Sequence, residues 1–158
     1  MMLMIPRRHF LLACTALAAA PLLARAQADP QRQALLREIT GGPLPSAGRV
    51  LVDTPPLADN GHSVPLRVVV DSPMTASERV QRITILAERN PRPIVASYSL
   101  GPMCARPELS TRIRLADIQE VIAVAGLSDG SWWMGGTRVI VTELACLEDN
   151  AVNPGGTQ

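Results

Sequence analysis

Leu66-Arg67-Val68-Val69-Val70 places Leu66, Val68 and Val70 at every second position. Side chains alternate between the two faces of an extended chain, so this spacing predicts a strand with one face turned to a core. Upstream, Val50 and Val52 keep the same period, and downstream Ile83 and Ile85 keep it too. Further apolar runs at 93–100, 109–116, 120–127 and 132–144 are separated by the turn-forming pairs Asn60-Gly61, Asn90-Pro91 and Asp129-Gly130. About seven strands at this spacing predict an all-β fold, an immunoglobulin-like antiparallel β-sandwich. The 14 prolines fall mostly in the connections, as expected of a residue that cannot donate to a ladder. One short N-terminal helix precedes the strands: Asp29 can cap it, Pro30 opens it, Leu35, Leu36 and Ile39 share a side, and Gly41-Gly42 stop it.

The length of 158 residues is room for one ordinary domain. An apolar content of 47% suffices for a core, while a formal charge of +1 with 18% charged residues argues against a nucleic-acid binder. All 15 basic residues are arginine, so Schiff-base chemistry and the phosphate-loop lysine motif lack their essential residue.

Arg7 and Arg8 precede an apolar run at 10–23 that is too short to span a bilayer comfortably. Overlapping small-residue sites, Ala24-Arg25-Ala26 and Ala26-Gln27-Ala28, follow it. Residues 1–28 therefore read as a signal peptide cleaved after Ala28, and Arg7-Arg8-His9-Phe10-Leu11-Leu12 resembles a twin-arginine signal, which implies export to the periplasm. Two alternatives are a lipoprotein, since Leu11-Leu12-Ala13-Cys14 is similar to a lipid-attachment box, and an uncleaved membrane anchor. Cleavage leaves 12 arginines against 14 acidic residues, a net charge of minus 2. The mature chain then comprises a domain at 29–147 and a polar tail at 148–158, with Pro154, Gly155 and Gly156, that is expected to fray.

Side chains able to do chemistry are few. Gly126-Leu127-Ser128-Asp129-Gly130 matches the G-x-S-x-G pattern of serine hydrolases, but that motif needs a helix after the serine and Ser131-Trp132-Trp133-Met134 reads as a strand, so Asp129-Gly130 is expected to be a hairpin turn. His62, the sole histidine after residue 28, sits beside Gly61 and reads as a solvated loop residue rather than a base. Two cysteines and one histidine far apart do not make a structural zinc site, so no metal and no cofactor is expected. Trp132 and Trp133 point to opposite faces of a strand, which puts one in the core and the other at the rim, either marking a partner surface or standing alone. Cys104 and Cys146 remain after cleavage. Bridged, they close a loop worth about 4 kcal/mol on the chain-entropy model. Unbridged, Cys146 is a reachable thiol just past the last strand residues 139–142.

From the helix onward the chain resembles the SoxY family of periplasmic thiosulfate-oxidation carriers. The residues are Glu38-Ile39-Thr40-Gly41-Gly42, Leu57-Ala58-Asp59-Asn60-Gly61 with Val64-Pro65, and Ala87-Glu88-Arg89-Asn90-Pro91-Arg92-Pro93. The second half adds Leu109-Ser110-Thr111-Arg112-Ile113-Arg114-Leu115-Ala116, Gln119, Val121, Ala123-Val124-Ala125, Ser128-Asp129-Gly130 and Val139 to Thr142. The resemblance implies an immunoglobulin-like carrier, not an enzyme, that pairs with a SoxZ-like subunit, serves periplasmic sulfur-oxidising enzymes and bears its sulfur intermediate on a cysteine. Counting from Thr142, that cysteine is Cys146. The family's terminal Gly-Gly-Cys-Gly-Gly arm is absent: Leu144, Ala145, Leu147 and Glu148 flank the cysteine. This departure sets carriage on Cys146 against a non-carrying adaptor module with a Cys104–Cys146 disulfide.

Overall fold

Asp29 caps α1 (Pro30–Thr40), its carboxylate accepting the Gln31 N–H at 2.9 Å, and Gly41 ends the helix at a φ of 78°. The computed structural model describes residues 29–143. Beyond α1 it contains β1 (Ser46–Ala47), β2 (Val50–Asp53), β3 (Leu57–Asn60), β4 (Val64–Val70), β5 (Val80–Ala87), β6 (Ile94–Ser99), β7 (Glu108–Ile113), β8 (Gln119–Leu127) and β9 (Trp132–Glu143).

The larger sheet has the order β1-β9-β8-β5-β6, with β3 also on β9, and the smaller sheet has the order β2-β4-β7. The expected two-sheet all-β sandwich is present, with two additions. β1 and β3 bring the described strands to nine, and both pair parallel to β9 on the same edge. Neither shows a usable period: β1 has two residues, both exposed, and β3 buries only Ala58. Their parallel sense follows from the chain's route. It leaves the larger sheet at Gly48-Arg49, where both residues have positive φ, runs through β2 in the smaller sheet, and returns after Pro55-Pro56 to the edge of β9.

The core between the sheets holds Val64, Leu66, Val68 and Val70 from β4, Ile83 and Ile85 from β5, Val121, Ala123 and Ala125 from β8, and Val139 and Val141 from β9. A second cluster, Leu86, Ile122 and Val124 with Leu36, lies on the outer face of the larger sheet beneath α1. β5 and β8 are therefore buried on both faces. Pro65 is the proline that sits within a strand. β2 pairs with β4 only from Val70 to Arg67, so position 65 lies past the end of that ladder.

The tryptophans differ from expectation. Both are half-buried, Trp133 against the inter-sheet core and Trp132 against the helix-side cluster. Arg49 covers the outer part of Trp133, its guanidinium 5.3 Å from the ring centroid, while bonding to Glu78 and to the Asp71 carbonyl. Trp132 lies over Gly126, where a Cβ would meet the ring at 2.7 Å.

At Gly135 the backbone of β2 crosses β9 so closely that a Cβ would overlap the Val50 carbonyl oxygen. Backbone cannot swing aside as a side chain can. Gly135→Ala is therefore expected to lower stability by about 3 kcal/mol, more than Gly126→Ala, whose obstacle is a half-buried ring. Urea unfolding followed by tryptophan fluorescence checks this, and equal stability of Gly135→Ala and the parent would refute it.

Candidate functional site

β9 carries the chain toward Cys146, and its last third is built differently from the rest. β8 accompanies it only to the pair Gln119–Val139, while β3 takes over the opposite edge from Leu57–Ile140 to Asn60–Glu143. Val139 and Val141 point into the core. The Ile140 N–H donates to the Pro56 carbonyl at 2.9 Å, and the Thr142 hydroxyl donates to the Asp59 carbonyl at 2.7 Å. Beside this end stands the turn after β3. Asn60 Oδ1 accepts the His62 N–H at 3.2 Å, and the Gly61 carbonyl accepts the Leu115 N–H at 2.9 Å. Arg112 Nε donates to Ser63 Oγ at 2.6 Å. His62 itself is exposed, as its loop position suggested. Cys146, like Arg7, Arg8 and Cys14, lies outside the described residues.

Cys104 sits at the other end of the sandwich, in the loop from β6 to β7. The Leu100 N–H donates to the Gln81 carbonyl, and the Val70 N–H donates to the Pro107 carbonyl, so both limbs of the loop are tied to the end where β9 begins. The Cys104 thiol is half-buried, donates to the Arg106 carbonyl at 3.1 Å, and has no disulfide partner among the described residues.

The G-x-S-x-G segment forms the β8–β9 hairpin, as its context implied. The Leu127 N–H donates to the Ser131 carbonyl, and Gly130 takes the positive φ of 85°. Ser128 Oγ accepts the Arg79 N–H and donates to the Ser77 carbonyl, so it ties two turns together. Asp129 receives the Ser131 hydroxyl at 2.7 Å and the Ser131 N–H at 2.8 Å. The serine's two hydrogen bonds hold its carboxyl below the usual aspartate range.

One feature had no sequence signal: a groove of about 510 Å³ between the start of α1 and the outer face of the larger sheet. Arg32 crosses its floor, its Nε on Glu88 Oε1 at 2.5 Å and its Nη2 on Glu120 Oε2 at 2.9 Å. The hydrogen bond to Glu88 is the main cause that raises the Arg32 guanidinium pKa, against the desolvation that lowers it. Arg89 and Arg138 stand at the rim. Four distant segments converge here, and no local motif records such convergence. Among the described residues no group of three or more His, Cys, Asp or Glu could hold a metal ion.

The family model for sulfur oxidation protein SoxY matches residues 36–146. Among solved structures the chain is similar to the sulfur carrier protein SoxY from Chlorobium limicola f thiosulfatophilum, with 24% identity over 70% of this chain and 90% of that one and a TM-score of 0.59. It is also similar to the superoxide reductase (neelaredoxin) from Ignicoccus hospitalis, with 16% identity, coverage of 60% and 80%, and a TM-score of 0.53. A putative superoxide reductase from Thermotoga maritima gives 16%, 62% and 87%, and 0.52. At these identities the structural likenesses show the fold alone. No curated protein matches the chain.

Because the folded state depresses the Asp129 pKa, its ionised carboxylate adds stability above the unfolded titration range, and that contribution is lost as pH falls through the folded value. Carboxyl-detected NMR titration is expected to give Asp129 a midpoint below that of an ordinary aspartate, and Ser131→Ala is expected to move it upward. A midpoint indifferent to Ser131→Ala would remove the assigned cause.

Proposed function

The chain belongs to the SoxY sulfur-oxidation family, and on that premise we propose that it is a non-enzymatic periplasmic carrier that holds a sulfur intermediate on Cys146 and pairs with a SoxZ-like subunit. The observation that carries this reading is the distance between the ends of the sandwich. β9, with 12 residues, is about 35–40 Å long at roughly 3.3 Å per residue. The Cys104 loop is tied to the end where β9 begins, and β9 stops at the other. Cys146 follows Glu143 by three residues, which in any conformation reach at most about 11 Å. A disulfide needs Cα atoms within about 7 Å. The remaining gap supports a Cys146 that Cys104 does not consume, and weighs against the adaptor with a structural bridge.

Attachment is a redox step. A bond between Cys146 Sγ and the sulfane sulfur of thiosulfate forms as two electrons leave, so the step needs a separate oxidising enzyme, and release needs a hydrolase. This chain's share is a cysteine three residues beyond the last residue of β9 and a surface by which other proteins recognise it. Export rests on residues 1–28. Cleavage after Ala28 would make the helix cap Asp29 the first mature residue and keep α1 whole. Among the described residues no helix is long and apolar enough to cross a membrane.

Intact mass of the mature protein, purified from periplasm without reductant and then offered thiosulfate with its oxidising partners, tests the reading. Cys104→Ser is expected to keep the sulfur adduct and Cys146→Ser to lose it entirely. A parent protein two hydrogens light and inert to alkylation would sink carriage.

A further inference from the structure

Among the described residues the two sheets end in four strand edges, and three of them are guarded. β9 carries β1 and β3 on its free side, and β2 runs against β9 at Gly135. On β7 the residues whose backbone faces outward include Glu108 and Arg112, both exposed and charged, which opposes the addition of another strand. β6 has none of these guards. It ends the larger sheet with β5 as its one partner, and Ile94-Val95-Ala96-Ser97-Tyr98-Ser99 contains no charged residue and no proline. The register shift at Ile85/Leu86 affects only its start. The Leu100 N–H donates to the Gln81 carbonyl, so in the regular part of the ladder Leu100, Tyr98 and Ala96 turn their backbone groups to β5, and Ser97 and Ser99 turn theirs away. An open ladder of this kind is a template for a further strand.

We propose that β6 pairs antiparallel with β6 of a second copy of this chain, about a twofold axis through Tyr98. In that register Ser97 of each copy faces Ser99 of the other, and their outward N–H and C=O groups complete four backbone hydrogen bonds. The occupant is a second copy because the pattern is self-complementary: one strand supplies both halves of every pair, and it carries no charge that its own copy would repel. Tyr98 falls on the axis, at the closely spaced kind of pair. It is half-buried, packs against the inter-sheet core, and donates its hydroxyl to Thr111 Oγ1 at 3.4 Å across the gap between β6 and β7. The two rings therefore meet at the open side of both sandwiches, as a cross-strand aromatic pair. Two larger sheets then run on as one. The contact covers about half of the roughly 800 Å² per partner that a stable interface needs, so the association is weak and depends on concentration. It uses neither cysteine and does not rest on the carrier reading.

Sedimentation equilibrium of the mature chain, with reductant present so that no intermolecular disulfide contributes, tests the inference. The parent is expected to pass from monomer to dimer with a dissociation constant on the order of tens of micromolar. Ser97→Lys with Ser99→Lys sets like charges opposite each other and is expected to raise that constant at least about tenfold, whereas Ser97→Lys with Ser99→Glu sets opposite charges across the axis and is expected to keep the dimer. Both serines are exposed, and circular dichroism checks that each variant folds. A parent that stays monomeric to about 1 mM would overturn the proposal. So would a double-lysine variant that dimerises like the parent, or an opposite-charge variant that dissociates like the double-lysine one. If the parent alone stays monomeric and the double-lysine variant loses a SoxZ-like subunit that the parent binds, the edge belongs to that subunit and the proposal falls. A parent that dimerises but never acquires sulfur would sink the carrier reading and leave the pairing standing.

Discussion

The crossing of β2 over β9 at Gly135 is the constraint on which the architecture rests. With no side chain there, the Val50 carbonyl approaches the β9 backbone, and a chain that has just left the larger sheet can begin the smaller one without opening a gap between them. Two further contacts fasten the same corner: the Gly48 N–H donates to the Met134 carbonyl, and Arg49 closes over Trp133. Because β2 is held there, β1 before it and β3 after it both fall along one edge of β9. That edge is covered near both ends by short strands, at Trp133–Met134 and at Ile140–Glu143, which limits its availability for pairing with other chains.

The outer face of the larger sheet is divided by the length of α1. Eleven helical residues span about 16 Å at roughly 1.5 Å per residue, less than half the length of β9. Where the helix lies, the sheet shows Leu86, Ile122 and Val124. Where it stops, the surface changes to charge, with Arg32 shared by Glu88 and Glu120, and beyond that to the exposed side chain of Ile140.

Most of the fold could be read from local pattern because its signals are local. The cap at Asp29, the stop at Gly41, the period of two through β4 and β5, and the turn at Asp129-Gly130 each depend on neighbours within a few residues. β1 and β3 escaped the same reading because they are held by the edge of β9 and not by any period of their own. The tryptophan pair was placed correctly on opposite faces, but the burial of Trp132 depends on a helix almost a hundred residues away in sequence. For the site, the resemblance singled out Cys146 and the pattern placed it just past the last strand. Neither could say how far it stands from Cys104.

The amino-acid sequence by itself determined the all-β class, the helix after Asp29 and the scarcity of reactive groups, since composition and nearest-neighbour spacing carry those directly, and its motifs carried the SoxY resemblance. Only the tertiary structure decided which strands share an edge, that the Cys104 loop and the end of β9 lie at opposite ends of the sandwich, and that Arg32, Glu88, Glu120 and Arg138 meet around one groove. Strand order and register set those distances. They arise from the packing of two sheets through a common core, and no stretch of chain encodes them alone.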